Sequence, residues 1–550
     1  MISNFRHRAG DSVEDILNIG KLISAGNLTS DEVKFLTNIK EAWNFYEGYH
    51  WEGIDDLDTP QVTYNYCRAF VNKFVAFEFG KGFSIKTPVE LDKIPVTIND
   101  PKMEVSVDEN SNDIIEPEEA TEPRDKIVVS EKTVAEFLNQ VWDDNQRDAI
   151  LTEIGQTKSI TGEAWVRIRY YSADELDDPF EEYPNGRIRI TVIPTQFVFP
   201  RFDDHDKDRL ESLLIMYPIH AQRETGILWR RTEESTVMYK EFWTKDEIVI
   251  YQDGNEIDRY DNPYGFIPFV QIKNFLVAGR SRGLGDLEDI IPLNIEFNTK
   301  KSDVSEVIDY HSAPITLVFG AKIGNLEKGA NKVWGGLPKD AKVENLGLQG
   351  DLVASTTYLH DAKTAMCEIA GVPETVLGGA AAISNTSGVA LQYMNLPLIE
   401  RTNVKLMSST AGLQRVNKMI LFIALAEGLI QKPDNISMKD FVYNEVEILS
   451  TLPKDELIEL QKIQQEMLMG LECRHGAMER IGKDNITKKL AEIDEERNQH
   501  PELFNPSLQA DWYSAYLSRT NAGGMLNGQT PQEQMRIAMT GQNGGVDTTE

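Results

Sequence analysis

One run in the chain has residue types and spacing suited to covalent chemistry. Gly279-Arg280-Ser281-Arg282-Gly283 matches G-x-S-x-G. In that pattern a serine on a sharp strand-to-helix turn is activated by a later histidine, which an acid orients. Asp351 and His360 follow and can be fitted to those roles. Two features argue against it. An elbow serine sits in a parallel, hydrophobic sheet, whereas this stretch alternates like antiparallel strands, and arginines on both sides of Ser281 suit a surface joint better. A serine hydrolase at Ser281 is therefore a remote alternative. Cys473 and His475 lie close together, but no second Cys/His pair accompanies them, so no zinc site is expected. Neither H-E-x-x-H nor G-x-x-x-x-G-K-[ST] occurs, which removes the zincin and P-loop routes. The expectation is a protein that is not an enzyme and carries no cofactor and no catalytic or metal residues.

Composition narrows the class. With 550 residues the chain can hold roughly three or four domains. Hydrophobic residues make up 41%, enough to build proper cores. Asp plus Glu number 88 against 56 Lys plus Arg, a formal net charge of −32. That balance fits an ordinary soluble, acidic cytosolic protein, and equally a surface that avoids the phosphate contacts giving non-specific DNA affinity, as a protein past which DNA must slide would need. Cys67, Cys367 and Cys473 are far apart and form no C-x-x-C pair, so a reducing compartment is inferred. The basic N-terminus has no apolar run behind it, unlike a signal peptide. The most apolar run, Met419–Ala426, is far short of the ~20 residues of a membrane span and reads as buried helix.

The positioning elements follow from periodicity. Residues 1–58 look helical and polar, ending in the aromatic cluster Trp43, Phe45, Tyr46, Tyr49 and Trp51. Helical spacing recurs over Tyr64–Phe79, closed by Gly80 and Gly82. Residues 104–125 carry nine acids against the single base Arg124, a solvated insertion without calcium-loop spacing. A helix over Val128–Asn145 precedes a meander from Ile150 to Val270. Its strands are Ala164–Arg169, Arg187–Val192, Leu213–Tyr217, Ser235–Trp243 and Glu247–Tyr251, with turns at Asn185-Gly186, Asp253-Gly254 and Asn262-Pro263. Asp286 is the expected cap of a helix to about His311, with Leu287, Ile290, Ile291, Val307 and Ile308 among its apolar positions. A short Gly-punctuated β module, with strands at Ile315–Phe319, Lys332–Trp334 and Lys342–Glu344, separates it from a second helix, Asp351 to Gly371. After the small-residue loop Gly378–Thr386, Ser387 caps a long helix to about Ile430, bent at Pro397 and Gly412. A helical bundle, 453–498, and a Gly/Gln/Asn-rich tail complete the chain.

The order of several local runs carries a resemblance. Asn262 to Pro268 (NPYGFIP) and Gly279 to Pro292 (GRSRGLGDLEDIIP) are followed by Gly371-Val372-Pro373-Glu374, Leu377-Gly378-Gly379 and Asn385 to Leu391. Together with Leu452-Pro453-Lys454-Asp455-Glu456, these runs resemble portal proteins of tailed bacteriophages. The branch is the one common in long-tailed phages of Gram-positive hosts, and the likeness covers roughly Ala42 to Glu496. It implies an α+β portal fold with an α/β wing (1–283, with the acidic insertion), stem helices (284–312 and 351–370), and a β-rich clip (313–350). A further wing segment would hold the tunnel loop 378–386 and the long kinked helix (371–430), followed by a helical crown (431–500) and a tail (501–550).

The resemblance also implies a homo-oligomeric ring of about twelve subunits at one capsid vertex. Double-stranded DNA would pass through it without sequence recognition, driven in by a separate terminase and later ejected. A head–tail connector and the major capsid or scaffold protein would be further partners, with no membrane, in the virion and in the host cytoplasm during assembly. Carried onto these residues, the channel loop would be Gly378, Gly379, Ala380, Ala381, Ala382, Ile383, Ser384, Asn385 and Thr386. Lys300 and Lys301 are the stem candidates for touching passing phosphates, against a reading as solvated or inter-subunit ion pairs. Lys332, Trp334 and Lys339 would face terminase and adaptor. The principal alternative is an acidic phage structural or adaptor protein without a channel.

Overall fold

The computed structural model describes residues 18–24, 28–52, 60–87, 94–96, 130–176, 183–206, 209–225, 231–312, 316–319, 340, 342–345, 352–378, 393–433, 436–449, 456–481 and 486–499. The chain forms two compact units, Met1–Leu452 and Pro453–Glu550.

In the first unit, helix α1 (Ser30–Glu47) opens with a capping box: Thr29 accepts from the Glu32 amide while Glu32 reaches back to Thr29. Helix α2 (Tyr66–Phe79) buries Phe70, Val71, Phe74 and Val75, the face its spacing predicts. Gly82 beyond it adopts a left-handed φ of 71°. Strand β1 (Phe83–Lys86) pairs with a strand from late in the chain, and a ribbon β2–β3 (Ile94–Val96, Ser130–Lys132) flanks the acidic insertion. The insertion itself, 104–125, lies outside the described residues. Helix α3 (Val134–Asp144) repeats the capping box with Thr133 and Glu136.

Helix α4 (Arg147–Thr161) occupies the start of the expected meander. Its buried face carries Thr157, Lys158, Ser159 and Thr161 beside Ile150, Leu151 and Ile154, so the apolar periodicity breaks down over its last turn. The strands form two antiparallel sheets rather than one. Strands β4 (Glu163–Tyr171), β5 (Arg187–Ile193) and β11 (Phe269–Lys273) make a three-stranded sheet in the order β11-β4-β5. Strands β6 (Val198–Phe202), β7 (Leu210–Thr225), β8 (Arg231–Trp243), β9 (Glu247–Gln252) and β10 (Asn255–Asp261) make a five-stranded sheet in sequence order. The turns signalled by dipeptides are present. Asp253 and Gly254 both have left-handed φ (52° and 82°), as a two-residue hairpin turn demands. Asn262 holds its turn by donating to the Thr244 and Phe266 carbonyls.

Helix α5 (Ile291–Ser312) packs along helix α6 (Leu352–Ala370), and Phe297, Leu359 and Met366 share one core. Between them, strands β12 (Thr316–Phe319) and β13 (Lys342–Asn345) pair antiparallel. Helix α6 ends at Gly371, φ 66°, before Pro373. Helix α7 (Leu396–Ala426) carries Pro397 in its first turn, directly after a break at Asn395 that follows the helical residues 393–394. The expected cap Ser387 lies outside the described residues. Helix α7 buries Leu413, Val416, Ile420 and Ile423 against the three-stranded sheet and the α3–α4 core, and the run Met419–Ala426 is helix, as its apolarity requires. Strand β14 (Glu445–Ile448) returns to β1.

The second unit contains helices α8 (Glu456–Leu468), α9 (Arg474–Arg480) and α10 (Ile486–Gln499), with Ile463 and Ala477 buried and Arg480 paired to Glu466 and Glu472. Among the described residues, no helix is long and apolar enough to cross a membrane, and no group of three potential ligands is placed to hold a metal ion.

Candidate functional site

The G-x-S-x-G run does not form a nucleophile elbow. Ser281 lies exposed in a bend after the antiparallel strand β11, and the next α-helix begins only at Ile291. His360 is exposed on α6, and Asp351 is outside the described residues. The glycines serve close packing. A Cβ on Gly283 would lie 2.1 Å from the Gly162 carbonyl oxygen, and one on Gly285 would lie 2.9 Å from that of Ile160. The end of the loop, 283–286, is thus laid directly on the backbone at the end of α4.

Arg282 ties this loop down. Its guanidinium pairs with buried Glu163 at 2.6 Å and lies 3.8 Å from the Phe35 ring. Glu163 also accepts from Trp165 Nε1 (3.0 Å) and Gln271 Nε2 (2.7 Å), so its charge is fully partnered.

Four residues downstream of Arg282, Asp286 proves not to be a helix cap. Its carboxylate is buried and anchors a charge cluster joining four segments. Arg401 reaches Asp286 Oδ1 through Nη2 (2.9 Å) and Nε (3.2 Å), and Lys405 Nζ reaches Oδ2 at 2.8 Å. Asn274 donates to the same oxygen at 3.1 Å. The Asp286 amide donates to the Ser159 carbonyl, and Lys405 donates to Ser159 Oγ. Behind them Lys158 pairs with Glu78 and donates to Ser409 Oγ (2.6 Å), which in turn donates to Glu78 Oε1 (2.7 Å). Phe74 and Phe275 flank the Arg401 guanidinium at 5.1 and 4.8 Å.

Two carboxylates here meet three cations, an excess of one positive charge. Burial pushes the Lys158 ammonium down to about 8, with Lys405 beside it adding to the fall and Glu78 opposing it. Burial by itself would raise Asp286, but Lys405 and Arg401 outweigh it and hold the carboxyl below its ordinary value. None of these roles stands out in the sequence. The available signal is that Arg401, Lys405 and Ser409 fall in helical register with buried Leu398, Leu413 and Val416, placing charge on an apolar stripe.

Helix α5 is held in an unexpected way. Its buried face runs through Asn294, Asn298 and Ser302, one residue per turn. Asn298 Oδ1 accepts from the Tyr64 amide (3.0 Å), Ser302 Oγ from the Val62 amide (3.0 Å), and Asn294 Nδ2 donates to the Tyr64 carbonyl (3.0 Å). The helix is thus clamped by the backbone of the segment before α2. Of the apolar positions read from sequence, Leu287, Ile290 and Ile291 are buried, but Ile308 is exposed.

Of the two lysines expected to lie in a stem, Lys300 is exposed and pairs with Asp303 at 3.0 Å, a hydrogen bond that raises its pKa. Lys301 is half-buried, with Nζ 5.6 Å from the Tyr64 ring on its own subunit. Gly378 is exposed with φ 91° and has open space where a Cβ would lie. The remaining loop residues, Gly379 to Thr386, and Lys332, Trp334 and Lys339, expected to face terminase and adaptor, lie outside the described residues.

With the helix pair and its intervening ribbon in place, comparison with known proteins decides the family. The family model for phage portal proteins of the SPP1 Gp6-like type matches residues 27–502. The chain belongs to the phage portal protein family. It is a structural protein of the genome-packaging apparatus, in a family whose members are not enzymes and sit at the portal vertex of the virion. Membership implies a homo-oligomeric ring acting with capsid, terminase and DNA. No curated protein matches the chain.

Proposed function

We propose that this portal protein closes into a ring of about twelve subunits whose central channel admits the genome during packaging, retains it, and releases it at ejection. The observation that carries the reading is the family match over residues 27–502, with the α5–β12/β13–α6 order inside it. In this arrangement α5 and α6 are the stem, and 313–350 is the clip that meets terminase and then the head–tail connector. The loop 378–386, with its glycines and alanines, lines the narrowest part of the channel, and 431–500 forms the crown. Exposed Lys300 is the stem cation better placed to meet passing phosphate, because Lys301 is drawn toward Tyr64. The net charge of −32 keeps the rest of the surface from gripping DNA.

Negative-stain imaging and native mass measurement of the purified chain test this. Closed rings with a central hole are expected. Monomers alone across concentration and salt would overturn it. Replacing 313–350 by a short linker should abolish terminase binding while rings persist, and retained binding would refute the clip assignment.

A further inference from the structure

The buried cluster at Asp286 contains an asymmetry. Lys405 Nζ lies between two carboxylates. It donates to Asp286 Oδ2 at 2.8 Å and lies 3.7 Å from Glu78 Oε2. Glu78 Oε1 is occupied by Lys158 and Ser409, whereas Oε2 is buried and accepts no hydrogen bond from a protein group among the described residues. A second acceptor thus stands less than one ångström beyond hydrogen-bonding range of an ammonium already engaged elsewhere.

The segments that own these groups give the asymmetry its meaning. Lys405 and Arg401 belong to the long helix α7. Asp286 belongs to the loop that enters the stem helix α5 five residues later, and Glu78 belongs to α2. Four ties fix Asp286 to the body of the wing: Ser159 O, Asn274, and the neighbouring glycines Gly283 and Gly285 pressed on the end of α4. Its carboxylate is the point where α7 grips that loop.

We propose that Lys405 is a two-position latch that couples displacement of α7 to the loop entering the stem helix. In the structure it engages Asp286. When α7 shifts, its ammonium moves onto Glu78 Oε2, leaving Asp286 to Arg401 alone and loosening the loop 284–290 from which α5 starts. Burial confines the ammonium to these two oxygens, since leaving both would strand a desolvated charge. The charge environment permits the exchange. Lys158 faces Glu78 from α4, Lys405 and Arg401 come from α7, and Asp286 comes from the loop, so each carboxylate keeps one cation in either state. The inference rests on contacts inside one subunit. It uses the channel reading only for its purpose, which is to let a disturbance at the channel-facing start of α7 reach the stem.

The test uses hydrogen–deuterium exchange on the full-length purified protein, its assembly state read separately by light scattering. Ala411→Gly loosens α7 at an exposed position outside the cluster, because glycine is a poorer helix former than alanine. The coupled protein should show faster exchange in α7 and also in 284–296, by at least threefold, with β7–β8 unchanged. In the Lys405→Met background, Ala411→Gly should accelerate α7 without any added effect on 284–296. Should Lys405→Met fail to fold, Asp286→Asn, which keeps the side-chain shape, provides the same comparison. Exchange confined to α7 in the parent overturns the latch, as does an undiminished response of 284–296 in Lys405→Met or Asp286→Asn. Failure of the chain to form rings would count against the channel reading and leave this result interpretable.

Discussion

Replacing Asp286 with asparagine removes one charge from the buried cluster without changing its shape. In the native chain the carboxylate receives Arg401, Lys405 and Asn274. The neutral amide would leave three cations facing the single carboxylate Glu78, so the local excess rises from one positive charge to two. Removing one partner of a buried pair costs about 3–5 kcal/mol. The lower end applies here, because Arg401 remains about a quarter exposed and can turn to water, and Lys405 has Glu78 within 3.7 Å. A loss of ~3 kcal/mol is expected at pH 7, read from urea unfolding followed by fluorescence of the buried Trp142 and Trp165. The pH dependence gives an independent check. Asp286 titrates lower in the folded chain than in the unfolded one, so its contribution is complete above the ordinary carboxylate value near 3.8. It is lost as pH falls through the lower, folded value. The gap between parent and variant should therefore narrow on acidification below pH 4. A gap under 1 kcal/mol at pH 7, or one that widens in acid, would refute the account of the cluster.

Lys158→Met should cost less than Asp286→Asn at pH 7, under ~3 kcal/mol, because it removes the excess cation of the cluster and leaves Glu78 to Ser409 and Lys405. Because Lys158 titrates near 8 when folded and near 10.5 when unfolded, the parent should gain stability relative to this variant between pH 8 and 10.5, which paired urea midpoints measure. Gly283→Ala should cost several kcal/mol or block soluble expression, because its Cβ would meet the Gly162 carbonyl at 2.1 Å; Ser281→Ala, two residues away and exposed, should unfold like the parent and support normal phage yield. Ala381→Trp or Ala382→Trp should leave rings intact in negative stain and stop packaging, as measured by protected DNA per particle. Lys300→Ala should lower the amount of full-length genome retained while assembly stays normal, and unchanged genome content would place Lys300 off the DNA path.

What the sequence determined by itself is local or compositional. Turn dipeptides, capping residues and apolar periodicity act within a few residues, so Asp253-Gly254, the α2 face, the end of α6 at Gly371 and the Met419–Ala426 helix were all legible. So was the family, because the order of several short runs survives in the linear chain. The packing decided what depends on partners far apart in sequence. Helix α4 was hidden because Lys158 and Ser159 are buried, and a buried lysine makes sense only beside Glu78, eighty positions away. Asp286 reads locally as a helix cap, yet Arg401 and Lys405 claim its carboxylate from more than a hundred residues downstream. Asn294, Asn298 and Ser302 look like a solvent-facing stripe until the backbone at Val62 and Tyr64 is laid against them. Burial makes an unpaired polar group expensive, so each of these side chains is fixed by a distant partner that only the tertiary structure supplies.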